Sequence, residues 1–585
     1  MIETQIKHQT MVRNLMKTNS SRGCLMLARL PLAMLGFLLV CPLATAQPRP
    51  KGKPKEPADV KIRIPDFTPL HAPAMVFAAL DDRMALTKLK EAIYVPDLCL
   101  YRYRVGTTSA ECQKFVDQSM GYFYSYVWIE AARSAETALK HDPNCAYAWL
   151  MLSKGLDKWG RSAEATTALK KAQELMPKAP HREQMLISAK LLEKGITGSA
   201  TTPDERKKAT AKALDDMLVI YDDDEEAWFA HAVLLGGFQG SNSEGVPFYK
   251  ALLKINPVHP GANHELVHFY ENTRRPAIGW PYAEGYIASS PGIPHAFHMQ
   301  AHLATRIGKW DKTADRSWKA VELEREYHKA QGVNHSEDHQ FSHHLETLVL
   351  ALLHDGRYAD AEKIKAECGK YGYKFPMLWF RLAVSQHRWE EAETMVANER
   401  KGDKTQASYM AALMSLERGD TAKATAEVDI LRLAQQNKKG DRRLEQRLWE
   451  TQGRLMCQTG SGEAGLKLLQ RTVEKTKDDY QHHAWGGGAY HMENWGMSAL
   501  ETGKWDVAEE AFLEALAHDP GSVRGSLGMQ IICEKQGRTE EAKRFAALGQ
   551  RLWAKADVKD LASLREHIIH LAGKSTAGVA AAGSE

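Results

Sequence analysis

The 585-residue chain has little that would tie it to a membrane, to nucleic acid or to nucleotides. After the first fifty residues no apolar run approaches the ~20 residues that span a bilayer. There is no excess of charge once residues 1–46 are set aside. That segment holds Lys7, Arg13, Lys17, Arg22 and Arg29 against Glu3 alone, which accounts for the whole net charge of +4. A neutral remainder gives no reason to expect nucleic acid or an anionic surface as partner. The one glycine run, "GGGA" at 486–489, lacks the Lys and Ser/Thr of a phosphate loop and is expected to loosen a helix start. Cysteines are few and form no C-x-x-C. Cys99, Cys112, Cys145, Cys368, Cys457 and Cys533 are scattered, and buried thiols are the expectation for most. Only Cys99 and Cys112 are close enough in sequence to invite a disulfide.

What is present begins with a leader. Basic residues end at Arg29, "LPLAMLGFLLVCPL" follows, and "ATA" precedes Gln47. This is the n-region, h-region and A-x-A site of an export signal cleaved near Ala46. An exported, periplasmic or extracellular protein is expected, in a compartment that permits disulfides. The Pro/Lys-rich stretch 47–75 reads as a linker and 76–110 as an N-terminal capping segment. Two helical arrays, 111–370 and 371–570, are expected to follow, and then a low-complexity disordered tail, 571–585.

Alternating β-type runs are scarce, whereas helical-period apolar patterns rich in Ala and Leu are everywhere. They carry a second period. Pro143 and Pro177 are 34 residues apart, as are Ala131 and Ala165, Pro257 and Pro291, and Ala508 and Ala542. Two helices per 34 residues is the tetratricopeptide spacing. Residues 146–177 show the unit well. Trp149, Leu152 and Leu156 form one apolar face, Gly160 makes the turn, Ala165, Leu169 and Ala172 form the second face, and Pro177 ends it. One helix pair cannot bury its own apolar face, so pairs must stack. The expected fold is all-α, a superhelical solenoid of roughly ten antiparallel pairs, with 178–215 and 326–341 as insertions.

Twelve of the 24 histidines lie between 259 and 354. The sequence "HELVH" places His264 and His268 four residues apart on one helix face. The same pair recurs 34 residues later as His298 and His302. Equivalent helices of stacked repeats lie ~8–10 Å apart, so these imidazoles should converge. Counting the first helices from the repeat-ending prolines puts His264 and His298 at position five and His268 and His302 at position nine. Glu271 falls at twelve, His295 at two, His343 at two and Glu346 at five of the next good helix. These positions line the concave groove of the fold. The expected metal set is His264, His268, Glu271, His298, His302 and His343, with His295, Thr305 and Glu346 beside it in the groove. Such donors suit Zn²⁺ or another divalent transition metal.

The segment "NHELVHFYENTRRP…PHAFHMQAHLATRIGKWDKT" resembles a large, mostly uncharacterised group of bacterial tetratricopeptide proteins. Its members carry an H-x-x-x-H-x-x-E helix and then an H-x-x-H-M-x-x-H helix. His264, His268 and Glu271 match the first, and His295, His298, Met299 and His302 match the second. "FSHHLETLVLALLHDGRYADA" is similar to a third block, with His344 where the group usually has Asn. Three readings follow. One is a scaffold that binds a protein or peptide in its groove. Another adds a metal held by the His pairs. The third is a zinc hydrolase in which Glu265 of H-E-x-x-H is the base. Against the last, Glu265 is turned ~100° from His264 on the helix, and the group resembled is commonly aromatic there. His482, His483 and His491 form a smaller cluster, and "YDDDEE" (221–226) reads as a solvated turn capping a helix.

Overall fold

The computed structural model describes residues 83–477 and 487–582, with backbone alone at 487–488 and from 574 onward. Those residues belong to one compact unit. They form 25 α-helices and no strand, arranged as twelve antiparallel pairs and a final helix, Val558–Ala582. The unit read from the sequence is present in detail. Ala146–Lys158 and Ser162–Leu175 pack through Leu152, Leu156, Ala165, Leu169 and Ala172, all essentially inaccessible. Gly160 turns between them at φ +85°, a conformation that favours glycine. Gly503 and Gly537 make the equivalent turns near the C-terminus at φ +73°.

The count exceeds ten because two pairs carry weak consensus. Residues 178–215, expected as an insertion, belong to a pair, His181–Glu193 and Pro203–Ile220, whose period is broken by a long connection. The other is Arg442–Gln458 with Gly462–Lys477, both longer than the repeat norm. Residues 326–341 are an overrun rather than an insertion. The helix Trp310–Gln331 continues for 22 residues, and a loop with a short 3₁₀ turn leads to Phe341. The last helix runs through the low-complexity tail to Ala582, where disorder was expected.

The array coils tightly enough to touch itself. Trp310 Nε1 donates to Asp519 at 3.0 Å, Trp553 Nε1 donates to the His354 carbonyl at 2.8 Å, and Lys555 pairs with Asp315. In the N-terminal half Arg133 reaches the Gln331 carbonyl and the Tyr327 hydroxyl donates to Glu130. Residues 83–109, most of the segment expected as an N-terminal cap, are not helical. They run as an extended strap with strict alternation over 101–107, where Tyr101, Tyr103, Val105 and Thr107 are buried and Arg102, Arg104 and Gly106 are exposed. The Tyr103 hydroxyl donates to Asp224, Thr107 to Asp142, and the Gly106 amide to Glu183. Backbone bonds tie Leu98 and Leu100 to Gly292 and Ser289. The strap is thus stitched to helices up to some two hundred residues away in sequence.

Cys99 and Cys112 are both free. Cys99 packs on Gly121 near the end of the Ala110–Tyr124 helix, while Cys112 lies near its start. Nine residues of helix separate those points by ~13 Å, well beyond disulfide reach. The thiol that faces Cys112 is Cys145.

Within "YDDDEE", Asp224 does cap the helix Glu225–Gly236, accepting from Ala227 N at 2.9 Å. Glu226, however, is not solvated. Its buried carboxylate accepts from the hydroxyls of Tyr124, Tyr147 (2.9 Å) and Tyr101 (3.3 Å), with Lys154 Nζ at 3.6 Å. Removing it strands three phenols and an ammonium. Glu226→Ala is therefore expected to cost about 3–5 kcal/mol, read as a urea midpoint shift. Asp223→Ala, on an exposed neighbour, should stay within about 0.5 kcal/mol.

Candidate metal centre

Three successive first helices carry the histidines: Pro260–Asn272, Pro294–Arg306 and Phe341–His354. Each of the first two begins with proline, whose fixed φ and missing N–H suit a first turn. Val267 of one and Phe297, Ala301 and Ala304 of the next are buried, and the histidine faces turn towards each other across the stack.

The imidazoles form two groups of three. His264, His268 and His295 bring ligand-capable nitrogens within 4.8 Å of one another, and so do His298, His302 and His343. In each group the H-x-x-x-H pair of one helix meets the second-position histidine of the next. His264 Nε2 lies 3.1 Å from His295 Nε2, and His302 Nε2 lies 3.3 Å from His343 Nε2. Two imidazoles on a tetrahedral Zn²⁺ with bonds of ~2.0–2.1 Å would hold their nitrogens roughly 3.3 Å apart.

The surroundings fix which nitrogen faces inward. His264 Nδ1 donates to the Tyr124 carbonyl at 2.6 Å, leaving the Nε2 lone pair for the cluster. His302 Nδ1 lies 2.9 Å from Glu271 Oε1, and His268 Nδ1 lies 3.6 Å from Glu271 Oε2. Glu271 therefore stands behind one imidazole of each group, the arrangement that orients metal-bound histidines. Arg306 pairs with it at 2.6 Å. Burial pushes its carboxyl up, but His302, His268 and Arg306 outweigh that and hold it well below the usual range.

Burial also keeps three of the imidazoles neutral. It depresses His264, His295 and His298 well below the ordinary histidine value, and neighbouring imidazoles add to the effect. A neutral ring carries one N–H and one lone pair, and several of these nitrogens meet no partner among the described residues. His268 Nε2, His295 Nδ1 and both nitrogens of His298 are buried with no hydrogen-bond partner. Each such atom costs ~1–3 kcal/mol if nothing meets it.

Glu271 lies outside the two ligand groups as a supporting carboxylate, and His295, expected only beside the metal, completes the first. Thr305 is turned away. Its hydroxyl bonds the Ala301 carbonyl and faces Thr313 of the paired helix, because in this repeat the twelfth position packs inward. Glu346 is exposed one turn beyond His343. Glu265 is buried and committed elsewhere. It accepts from the Tyr126 hydroxyl at 2.5 Å and from Gly240 N at 3.2 Å. Gly240 sits at φ +59° where a Cβ would lie 2.3 Å from Phe269 N, so this loop crosses the helix at backbone contact. His482 and His483 lie outside the described residues, and His491 pairs with Glu450 at 3.2 Å.

Three contributors had no readable signal. Tyr126 (φ +61°) lies over His264 with ring centroids 4.4 Å apart. The Tyr124 group is main chain. Glu324, from the overrunning helix, lies 2.9 Å from His344 Nδ1. His344 itself packs 3.9 Å from the His298 ring and bridges the two groups, and its sequence signal was its departure from Asn.

A tetratricopeptide-repeat family signature matches residues 493–553, and the fold is that of a tetratricopeptide-type α-solenoid. No curated protein matches the chain. Among solved structures, a human IFIT1 dimer with m7Gppp-AAAA is similar at 15% identity, covering 77% of this chain and 91% of that one with a TM-score of 0.25. A monomeric IFIT1 mutant with Gppp-AAAA gives 15%, 77%, 92% and 0.24. No described helix is long and apolar enough to cross a membrane.

The buried histidines set a pH dependence. Burial lowers His344 to about 4 and His259 to about 3 from an unfolded value near 6.5. The unfolded chain therefore takes up protons first, and the stability these groups contribute is complete above pH ~6.5 and lost as pH falls through 4 towards 3. His344 alone should account for roughly 3 kcal/mol by pH 4. Thermal melts of metal-free protein should fall steeply over that window, and His344→Asn should flatten the slope.

Proposed function

We propose that this is an exported helical-repeat protein of the bacterial group it resembles, which holds divalent transition metal, Zn²⁺ foremost, in two three-histidine sites. The scaffold around that core engages a protein or peptide partner. The observation that carries the metal reading is two three-histidine groups of the same pattern, in which His268, His295 and His298 each keep a buried ring nitrogen without a hydrogen-bond partner. A cation meets several lone pairs at once, which no single protein donor here does. Export rests on the leader, and the partner reading rests on the repeat architecture.

The hydrolase reading is not adopted. Both Glu265 oxygens are engaged, one by a phenol and one by a main-chain amide, in the contact that holds the 237–241 loop. A general base must reach a water on the metal.

Elemental analysis of protein purified without chelators is expected to give up to two equivalents of metal per chain. His264→Ala should remove one and His298→Ala the other. Glu271→Gln should weaken both by about 10–100-fold, because its carboxylate backs an imidazole of each group. Glu265→Gln should leave metal content unchanged. Wild-type protein that neither carries metal nor takes up Zn²⁺ after dialysis would overturn the proposal.

A further inference from the structure

A second site lies away from the histidines. A cavity of ≈ 560 Å³ opens between the helices Ala146–Lys158, His181–Glu193, Pro203–Ile220 and Glu225–Gly236. This is the size range of pockets that take small molecules. Its walls are largely apolar, formed by Phe123, Leu150, Leu186, Leu214, Phe229 and Val233. Its lining holds three lysines, Lys154, Lys158 and Lys190, and three carboxylates, Asp157, Glu193 and Glu226, but Lys194 outside it takes one of those carboxylates. Four lysines gather on this side: Lys154, Lys158, Lys190 and Lys194. Three carboxylates answer them. Asp157 is held by Lys194 at 2.7 Å through both oxygens, Glu193 by Lys190 at 2.7 Å, and Glu226 takes Lys154 along with its three phenols.

Lys158 is left over. It stands exposed at the cavity's rim, and its ammonium lies 3.8 Å from the centre of the Phe238 ring and 5.9 Å from Trp128. No described carboxylate lies within ion-pair distance of it. An aromatic face supports a cation but does not neutralise it. A second group also wants a partner. Thr210, 2% exposed, lines the same cavity, and its hydroxyl has no hydrogen bond. A helical threonine ordinarily bonds a carbonyl one turn back, so a buried hydroxyl left idle is a donor aimed at something else.

We infer that this cavity binds an amphipathic monocarboxylate, with the apolar body between Leu150, Leu186, Leu214 and Phe229 and the carboxylate at Lys158 with the Thr210 hydroxyl as donor. One ammonium without a carboxylate partner matches one negative charge. A phosphate head, with nearly two charges and three strong acceptors, would want an arginine or a second free lysine. The lining contains no arginine, and the other lysines are already paired. A purely neutral apolar ligand would leave Lys158 and Thr210 as they are.

The test compares dodecanoate with dodecanol, the same apolar body with and without the charge. Each is titrated calorimetrically against the full-length protein and in competition with a fluorescent polyene fatty acid. Dodecanoate should bind at one site per chain, at least about tenfold more tightly than dodecanol, since a hydrogen-bonded charge pair at a partly buried site is worth that much. Lys158→Met, at the rim, should reduce dodecanoate to the level of dodecanol and leave dodecanol unchanged. Thr210→Val should weaken dodecanoate several-fold and narrow its preference over dodecanol. Leu214→Trp, if its melting curve shows it folded, should abolish both; Val233→Phe serves if it does not. Equal affinity for acid and alcohol, no binding of either, or an unchanged preference in Lys158→Met would each overturn the inference.

Discussion

The histidine core exists because one main-chain carbonyl reaches across the coil. Tyr124 ends the first helix of the first pair, and its carbonyl accepts from His264 Nδ1 at 2.6 Å, although 140 residues separate them. An open superhelix would leave the fifth and ninth positions of its first helices facing a water-filled groove. Here the turn at Tyr124–Tyr126 is pressed onto the Pro260–Asn272 helix. Gly261 provides the room, because a Cβ there would meet the rings of Tyr124 and Phe229 at 2.5 Å. The closure takes His264, which would otherwise be solvated and protonatable, and makes it dry, neutral and fixed in tautomer.

The repeat period made part of this legible. His264 and His298 are one repeat apart, as are His268 and His302, so adjacency followed from spacing alone. The structure sharpens the rule: each group joins positions five and nine of one repeat to position two of the next. The first repeat has Gly261 at position two and the third has Glu346 at position five, so the pattern closes after two groups. Position twelve shows where such reasoning fails. Glu271 and Thr305 occupy it in consecutive repeats, yet Glu271 lies behind imidazoles and Thr305 packs towards Thr313. Register places a side chain on a helix, and its neighbours decide which way it turns. Tyr126, Glu324 and the Tyr124 carbonyl come from outside the period, and no spacing could have found them.

The strap was illegible for a related reason. Tyr101, Tyr103, Val105 and Thr107 alternate as in a half-buried strand, but no other strand exists to pair with them among the described residues. Their backbone is served instead by side chains. Glu183 takes Gly106 N, Gln113 takes Val105 N, and Asp117 lies 3.4 Å from Tyr103 N. An extended segment held in this way on helix faces is how a repeat protein of this type would receive a peptide from outside. The strap thus already covers these helix faces in the N-terminal half of the array.

HELVH shows how a catalytic pattern can be assembled from unrelated requirements. Its two histidines serve the repeat geometry, which calls for positions five and nine. Its glutamate serves a loop. Glu265 holds Tyr126 through one oxygen and Gly240 through the other, and both partners depend on it. Tyr126 is a non-glycine residue at positive φ, which costs ~1–3 kcal/mol unless something over-determines it. The Gly240 loop crosses the helix with no room for a side chain. Burial also raises the Glu265 carboxyl above its ordinary value, so ionisation there already works against desolvation. To serve as a base, Glu265 would have to leave both hydrogen bonds and release a strained tyrosine that covers the first histidine group. The carboxylate that makes the motif look hydrolytic thus helps to keep that group closed to water.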